Sequence, residues 1–223
     1  MRKYEGLCTE LANVCGDGFW FSDLDIQEEN KDKKYIISAK LGFSQSYENV
    51  TIDDSYDLRI ELPYDYSRTL PVVFNVDGKI PNDPDNHNNE KTGLCLATTA
   101  EIKERLSQTA GTFIDFVREL IIPFLYAHSY KQQYHKYPWD PREHFGEGIL
   151  SEYKDFFELR DLNHARDFMK ELFKYKRSIK GHNICMCGSG KKFRDCHQKK
   201  YLERLAYYSH REMRLDYCKA MKK

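Results

Sequence analysis

The chain has 223 residues, 40% hydrophobic and 31% charged, a globular composition that excludes a disordered or collagen-like protein. No apolar run approaches the ~18 residues of a membrane-spanning helix, and MRKYEGLCTE lacks the apolar core of a secretory signal, so a cytoplasmic protein without a membrane partner is expected. The net charge of +0 conceals two opposite parts: residues 1–165 carry 18 Lys+Arg against 29 Asp+Glu, and residues 166–223 carry 17 against 6. That switch divides the chain into an expected acidic body, 1–165, and a basic tail, 166–223. Seven cysteines in a reducing compartment speak against a disulfide framework. Cys8, Cys15 and Cys218 read as packing residues.

In chain order, the first fifteen residues suit a short helix ended near Gly16 and Gly18. KKYIISAKL (33–41) alternates, with Tyr35, Ile37, Ala39 and Leu41 on one face of a half-buried strand. YENVTID (47–53), DLRIELP (57–63) and PVVFNV (71–76) read as further strands, the last ended by the turn dipeptide Asp77-Gly78. Four short strands so closely spaced predict an antiparallel meander. PNDPDNHNNEKTG (81–93) is thirteen residues of turn chemistry, a candidate functional loop. Thr98 and Glu101 stand as a capping box. Ile102, Leu106, Phe113, Val117, Leu120 and Ile121 then recur at helical spacing, with an interruption at Gly111 and a kink near Pro123. After the loop YPWDPREHFGEG (137–148), which contains His144, one amphipathic helix is expected over about 149–176. The fold class is α+β: a four-stranded antiparallel meander with flanking helices, then a small C-terminal module.

ICMCGSGKKFRDCHQ (184–198) supplies Cys185, Cys187, Cys196 and His197, the four soft or borderline donors that a closed tetrahedral zinc site needs. Gly188 and Gly190 allow the backbone angles that fold the intervening loop around one ion. The stretch resembles the SEC-C motif along its whole length, from Cys-x-Cys-Gly-Ser-Gly-Lys-Lys-Phe to the closing Cys-His. The resemblance implies a structural Zn2+ and a protein-docking role. Four protein ligands leave no open position for substrate, so catalysis is not expected there. Lys191, Lys192, Arg194, Lys199 and Lys200 add a positive face, for which a protein is the expected contact and nucleic acid the lesser alternative.

Cys95, in GLCLA, follows the long polar loop and precedes a helix start, whose partial positive charge favours a thiolate. His87 and Asn89 lie upstream, able to fold back beside it. The stretch ELPYDYSRTLPVVFNVDGKIPND…HNNEKTGLCLA resembles the core of a ubiquitin-conjugating enzyme: Tyr66, Pro71 and Phe74 match the strand signature, His87-Asn88-Asn89 stands for His-Pro-Asn, and Gly93-Leu94-Cys95-Leu96 for the active-site turn. The chain departs from that pattern in lacking the proline of His-Pro-Asn, and its Trp139-Asp140-Pro141 comes far downstream. YPWDPREHFGEGI is similar to the bacterial relatives found beside cGAS-like nucleotidyltransferases in anti-phage systems of the CBASS type.

The resemblance implies a ubiquitin-conjugating-like fold over 1–165 and a cysteine acyltransferase. Cys95 would carry a thioester, Asn89 would stabilise the oxyanion, and His87 would shape the loop. The implied partner is a protein with a conjugatable C-terminus, such as the nucleotidyltransferase, loaded by a separate activating enzyme or arriving already activated. The alternatives are a catalytically silent adaptor of the same fold, a Cys95–His87 hydrolase, and a nucleic-acid-binding module on the basic tail.

Overall fold

A computed structural model describes residues 11, 18–66, 68–139, 145–175 and 179–221. Cys8, Cys15 and His144 lie outside the described residues, as does the expected N-terminal helix except for Leu11, which is helical and buried. The chain forms two compact units. One comprises 1–97 and 108–140, the other 98–107 and 141–223. The expected boundary at residue 165 falls inside a helix, Leu162–Lys174. The charge switch marks a change in surface composition, whereas the units part where the helical core begins.

The first unit is an antiparallel sheet in the order β1-β2-β3-β4, with β1 Phe19–Glu29, β2 Lys34–Tyr47, β3 Val50–Pro63 and β4 Val72–Asn75. The α+β class and the four-stranded antiparallel sheet are as expected, but two strands are drawn differently. The segments 47–53 and 57–63 are one strand, β3, in unbroken register with β2 from Tyr47↔Val50 to Lys34↔Pro63. The Asp53-Asp54-Ser55 run hides this continuity. Asp54 takes an inward position between Ile52 and Tyr56, where the Ser129 hydroxyl donates to it at 2.7 Å and Lys79 Nζ lies at 2.9 Å. The edge strand β1 carries no alternating signal because of its residues only Phe19 is buried. On β2 the expected face is inward: Tyr35, Ile37, Ala39, Leu41 and Phe43 are all buried.

Helix α1, Thr99–Ser107, belongs to the second unit. The Thr98 hydroxyl accepts from the Glu101 N–H at 3.2 Å, and the Glu101 carboxylate pairs with Arg105 at 2.6 Å. Gly111, at φ +68, separates α1 from the helical run of the first unit: α2 Phe113–Phe116, a π-helical turn Val117–Ile121, and α3 Ile122–Tyr134. The wide turn sits just before Pro123, whose ring would crowd the carbonyl one regular turn back. Phe116, Val117, Ile121 and Leu125 are fully buried, and the Tyr56 hydroxyl meets His128 Nδ1 at 2.8 Å and the Ser129 hydroxyl at 2.7 Å.

In the second unit the expected single helix is two, α4 Phe145–Phe156 and α5 Leu162–Lys174, the latter capped by Asp161. Helices α6, Gln198–Leu205, and α7, His210–Ala220, follow the cysteine loop. One apolar core joins Ala100 of α1 to Leu150 and Tyr153 of α4, Phe168 and Met169 of α5, Cys185, Met186 and Phe193 of the loop, and Tyr201 and Met213 of α6 and α7. Within this unit Arg204, 0% exposed, pairs through two guanidinium nitrogens with Glu152, and its carbon lies 3.8 Å from the centre of the Phe156 ring. A buried ion pair is costly to break one-sidedly, because the survivor stays desolvated. Arg204→Ala is therefore expected to cost about 3–5 kcal/mol, read from chemical denaturation of the full chain. Arg204→Met combined with Glu152→Leu should restore most of the loss.

Candidate metal centre and the Cys95 turn

The loop before α6 is built for tight reversal. The Cys185 N–H donates to the Lys191 carbonyl at 2.8 Å, and the Phe193 N–H to the Asn183 carbonyl at 2.7 Å. Gly188 and Gly190, at φ +72 and +73, make the corner between them, as their position in the sequence predicts. Phe193 is fully buried beneath the loop and meets Tyr201 edge-on at 5.5 Å. The reversal brings Cys185, Cys187, Cys196 and His197 together, with one donor atom of each inside a mutual span of 4.8 Å.

These donors fit a metal ion. Around an ion of zinc's size, with metal–sulfur bonds of about 2.3 Å, tetrahedral donors stand about 3.8 Å apart. Here Cys187 and Cys196 sulfurs are 3.5 Å apart, and His197 Nδ1 lies 3.2 Å from the Cys185 sulfur and 3.1 Å from that of Cys196. The tautomer of His197 is set from the far side of the ring: Nε2–H donates to the Phe157 carbonyl at 2.9 Å, leaving the Nδ1 lone pair for the ion. Phe157 and Phe168 flank the ring at 6.3 and 5.5 Å.

Without an ion the three thiols do not ionise alike. Burial opposes ionisation of Cys187, but the Ser189 hydroxyl and N–H outweigh it and draw the thiol down to about 6. Burial, reinforced by hydrogen bonds with Cys187 and Cys185, pushes Cys196 up to about 11. Burial also raises Cys185. Metal uptake must therefore displace protons, chiefly from Cys185 and Cys196, which makes it weaker in acid.

Sequence spacing gave no sign of a second clamp. His164 Nδ1 accepts from the Arg160 N–H at 3.1 Å, which places the proton on Nε2, and Nε2–H donates to the Cys187 carbonyl at 2.8 Å. His164 lies in the first turn of α5, remote in sequence from every ligand, and only its neighbour Asp161 as N-cap marks the position. Of the basic face, Lys191, Lys192, Arg194 and Lys199 are exposed. Lys200 is not part of an open patch: it pairs with Glu158 at 2.8 Å and donates to the Phe156 carbonyl at 2.8 Å.

In the first unit, the polar loop forms a 3-10 turn, Pro84–Asn86, and a small hairpin of β5 Asn88–Asn89 with β6 Gly93–Leu94. The hairpin pairs Asn88 with Leu94 and Asn89 with Gly93, and the Cys95 N–H donates to the His87 carbonyl at 2.8 Å. His87, Asn89 and Cys95 are thus brought together through backbone, with Cys95 exposed. His87 holds φ +49 at the end of the 3-10 turn. The Asn89 side-chain oxygen accepts from the Lys91 and Thr92 N–H groups at 2.9 and 3.2 Å, capping its own turn. Asn88, which stands where the resemblance has proline, anchors the loop by donating to the Ile80 carbonyl at 2.9 Å. Gly93 is required twice over: φ is +77, and a Cβ would stand 2.4 Å from the Val73 carbonyl oxygen of β4.

A family model for the SEC-C motif matches residues 183–199, the metal loop with its flanks. No curated protein and no solved structure matches the chain.

Two outcomes follow from this geometry. His164→Phe removes a donor that orients the ligand loop and should weaken metal binding by roughly 10–100-fold, measured by competition with a chromogenic chelator. Gly93→Ala forces a left-handed angle and a backbone clash, and should destabilise the first unit by about 1–3 kcal/mol, seen as a lower urea midpoint.

Proposed function

We propose that the chain is an acyl carrier of the ubiquitin-conjugating type whose second unit is braced by Zn2+. The observation that carries this reading is the exposed Cys95 at the exit of a pinned hairpin, its N–H on the His87 carbonyl and Asn89 in the same hairpin. The Cys95 thiolate would attack an activated carbonyl at the C-terminus of a partner protein, forming the C–S bond as the activating group departs. An amine then attacks the thioester, the carbonyl oxygen gains charge, and the thiolate leaves as the amide forms. An amide donor at Asn89 would stabilise that oxygen, and His87 would hold the turn. The partner we favour is a cGAS-like nucleotidyltransferase of a CBASS anti-phage system, on the strength of the resemblance around residues 137–149. No described helix is long and apolar enough to cross a membrane.

Zinc is the ion we assign to the cluster, because three thiolates and an imidazole make a soft tetrahedral set that this ion prefers. Its part is structural: it would hold the ligand loop closed, with chemistry left to Cys95.

A second reading is a catalytically silent adaptor with the same fold. It is favoured by Asn89, whose side-chain oxygen is committed to its own turn. The two readings part in one experiment: the full chain is purified with its genomic neighbours, wild type beside Cys95→Ala, and examined by intact mass before and after reductant. The carrier reading expects a reductant-sensitive protein adduct in the wild type alone, discharged roughly 10²–10³-fold more slowly in Asn89→Ala. Absence of any adduct, with identical behaviour of Cys95→Ala, establishes the adaptor.

A further inference from the structure

Helix α1 stands at an unusual place in the chain. It belongs to the second unit, yet the first unit lies on both sides of it in sequence, and only Leu96 and Ala97 separate Cys95 from Thr98. At nine residues it is too short to be stable alone in water. Its order therefore comes from the core into which it packs.

That core is the one that holds the metal ligands. Ala100, 1% exposed, shares a single apolar cluster with Cys185, Met186 and Phe193 of the ligand loop and with Phe157 and Phe168, which flank His197. A second tie is polar: Lys103 Nζ pairs with Glu212 at 2.5 Å, and Glu212 also closes the capping box that starts α7 with Ser209. Lys103 further lies 5.8 Å above the ring of Tyr208, another member of the cluster. The loop's own backbone bonds and the buried Phe193 shape it, but in such sites metal-binding energy is folding energy, so loss of the ion removes the ligation that draws its two ends together.

We propose that metal occupancy of the Cys185–Cys187–Cys196–His197 cluster controls the order of α1 and, through the two-residue connection, of the Cys95 turn. The cluster is then a conformational regulator of Cys95 as well as a local brace. Loss of the ion loosens the shared core, α1 frays, and the Cys95 N–H loses its restraint against the His87 carbonyl. This coupling does not depend on what Cys95 carries.

Amide hydrogen exchange followed by mass spectrometry tests it on the full chain, as purified, after chelation, and after readdition of Zn2+ alone. The expected result is exchange about tenfold faster or more at 95–107 in the chelated protein, reversed by Zn2+, while β2 and β3 keep their protection. Ala100→Asp places a charge in the core without touching a ligand. With Zn2+ kept in excess so that the site stays filled at one ion per chain, it should still show the fast exchange at 95–107 that chelation gives; failure to fill the site at any Zn2+ concentration counts against the proposal. The proposal is overturned if chelation frees only 181–200, if β2 and β3 lose protection together with 95–107, or if Ala100→Asp leaves 95–99 as protected as in the wild type.

Discussion

An imidazole that donates from one ring nitrogen offers a lone pair on the other, and in the second unit that choice is made by a backbone carbonyl. The Phe157 carbonyl accepts from His197 Nε2, so Nδ1 faces the sulfurs of Cys185 and Cys196. Phe157 itself is fully buried, its N–H bonded to the Tyr153 carbonyl just past the end of α4. The fourth ligand is therefore set by the last turn of a helix some forty residues earlier in the chain. His164 repeats the device on the other side, joining the start of α5 to the Cys187 carbonyl. A motif of seventeen residues is thus read by two helices outside it, and its geometry depends on their packing.

The polar interior of this unit makes the dependence sharper. Arg204 and Glu152 form a buried pair, and the carboxylate of Asp216 accepts from the Tyr208 hydroxyl at 2.8 Å and that of Tyr153 at 3.3 Å. Burial raises the Asp216 carboxyl and drives the Tyr208 hydroxyl far above its usual range. Apolar side chains tolerate small shifts, whereas a buried network works only when every member is satisfied. Here one member is incomplete, since Arg204 Nε is buried with no hydrogen-bond partner, and the carboxylates of Glu152 and Asp216 hold the arrangement.

How much of this was legible in the sequence follows from which interactions are local. The metal ligands and the two glycine corners lie within a few residues of one another, and spacing alone identifies them. The inward face of β2 was equally plain, since period-two alternation is local too. What escaped was set by distant partners. Asp54 looks like a break in β3 because the residues that satisfy it, Lys79 and Ser129, are 25 and 75 positions away. His164 carries no local mark of its bond to Cys187. Helix α1 reads as the start of the long helical run, and only tertiary contacts assign it to the other unit.

The two kinds of cysteine in this chain are suited to opposite tasks for reasons of coordination and access. Three thiols and a histidine that could close around one ion would leave no position for a substrate, and their proximity would serve to hold chain segments together. Cys95 has the reverse properties: it is exposed, it is held at its backbone and not by ligation, and its neighbours His87 and Asn89 are spent largely on shaping the turn. A turn held by the β5–β6 hairpin, by Gly93 against β4, by Asn88 on the Ile80 carbonyl and by the Cys95 N–H on the His87 carbonyl is rigid enough to present a side chain. Under the acyl-carrier proposal, reactivity at such a position would come from the activated carbonyl brought to it. Selectivity would then reside in whatever surface delivers that carbonyl.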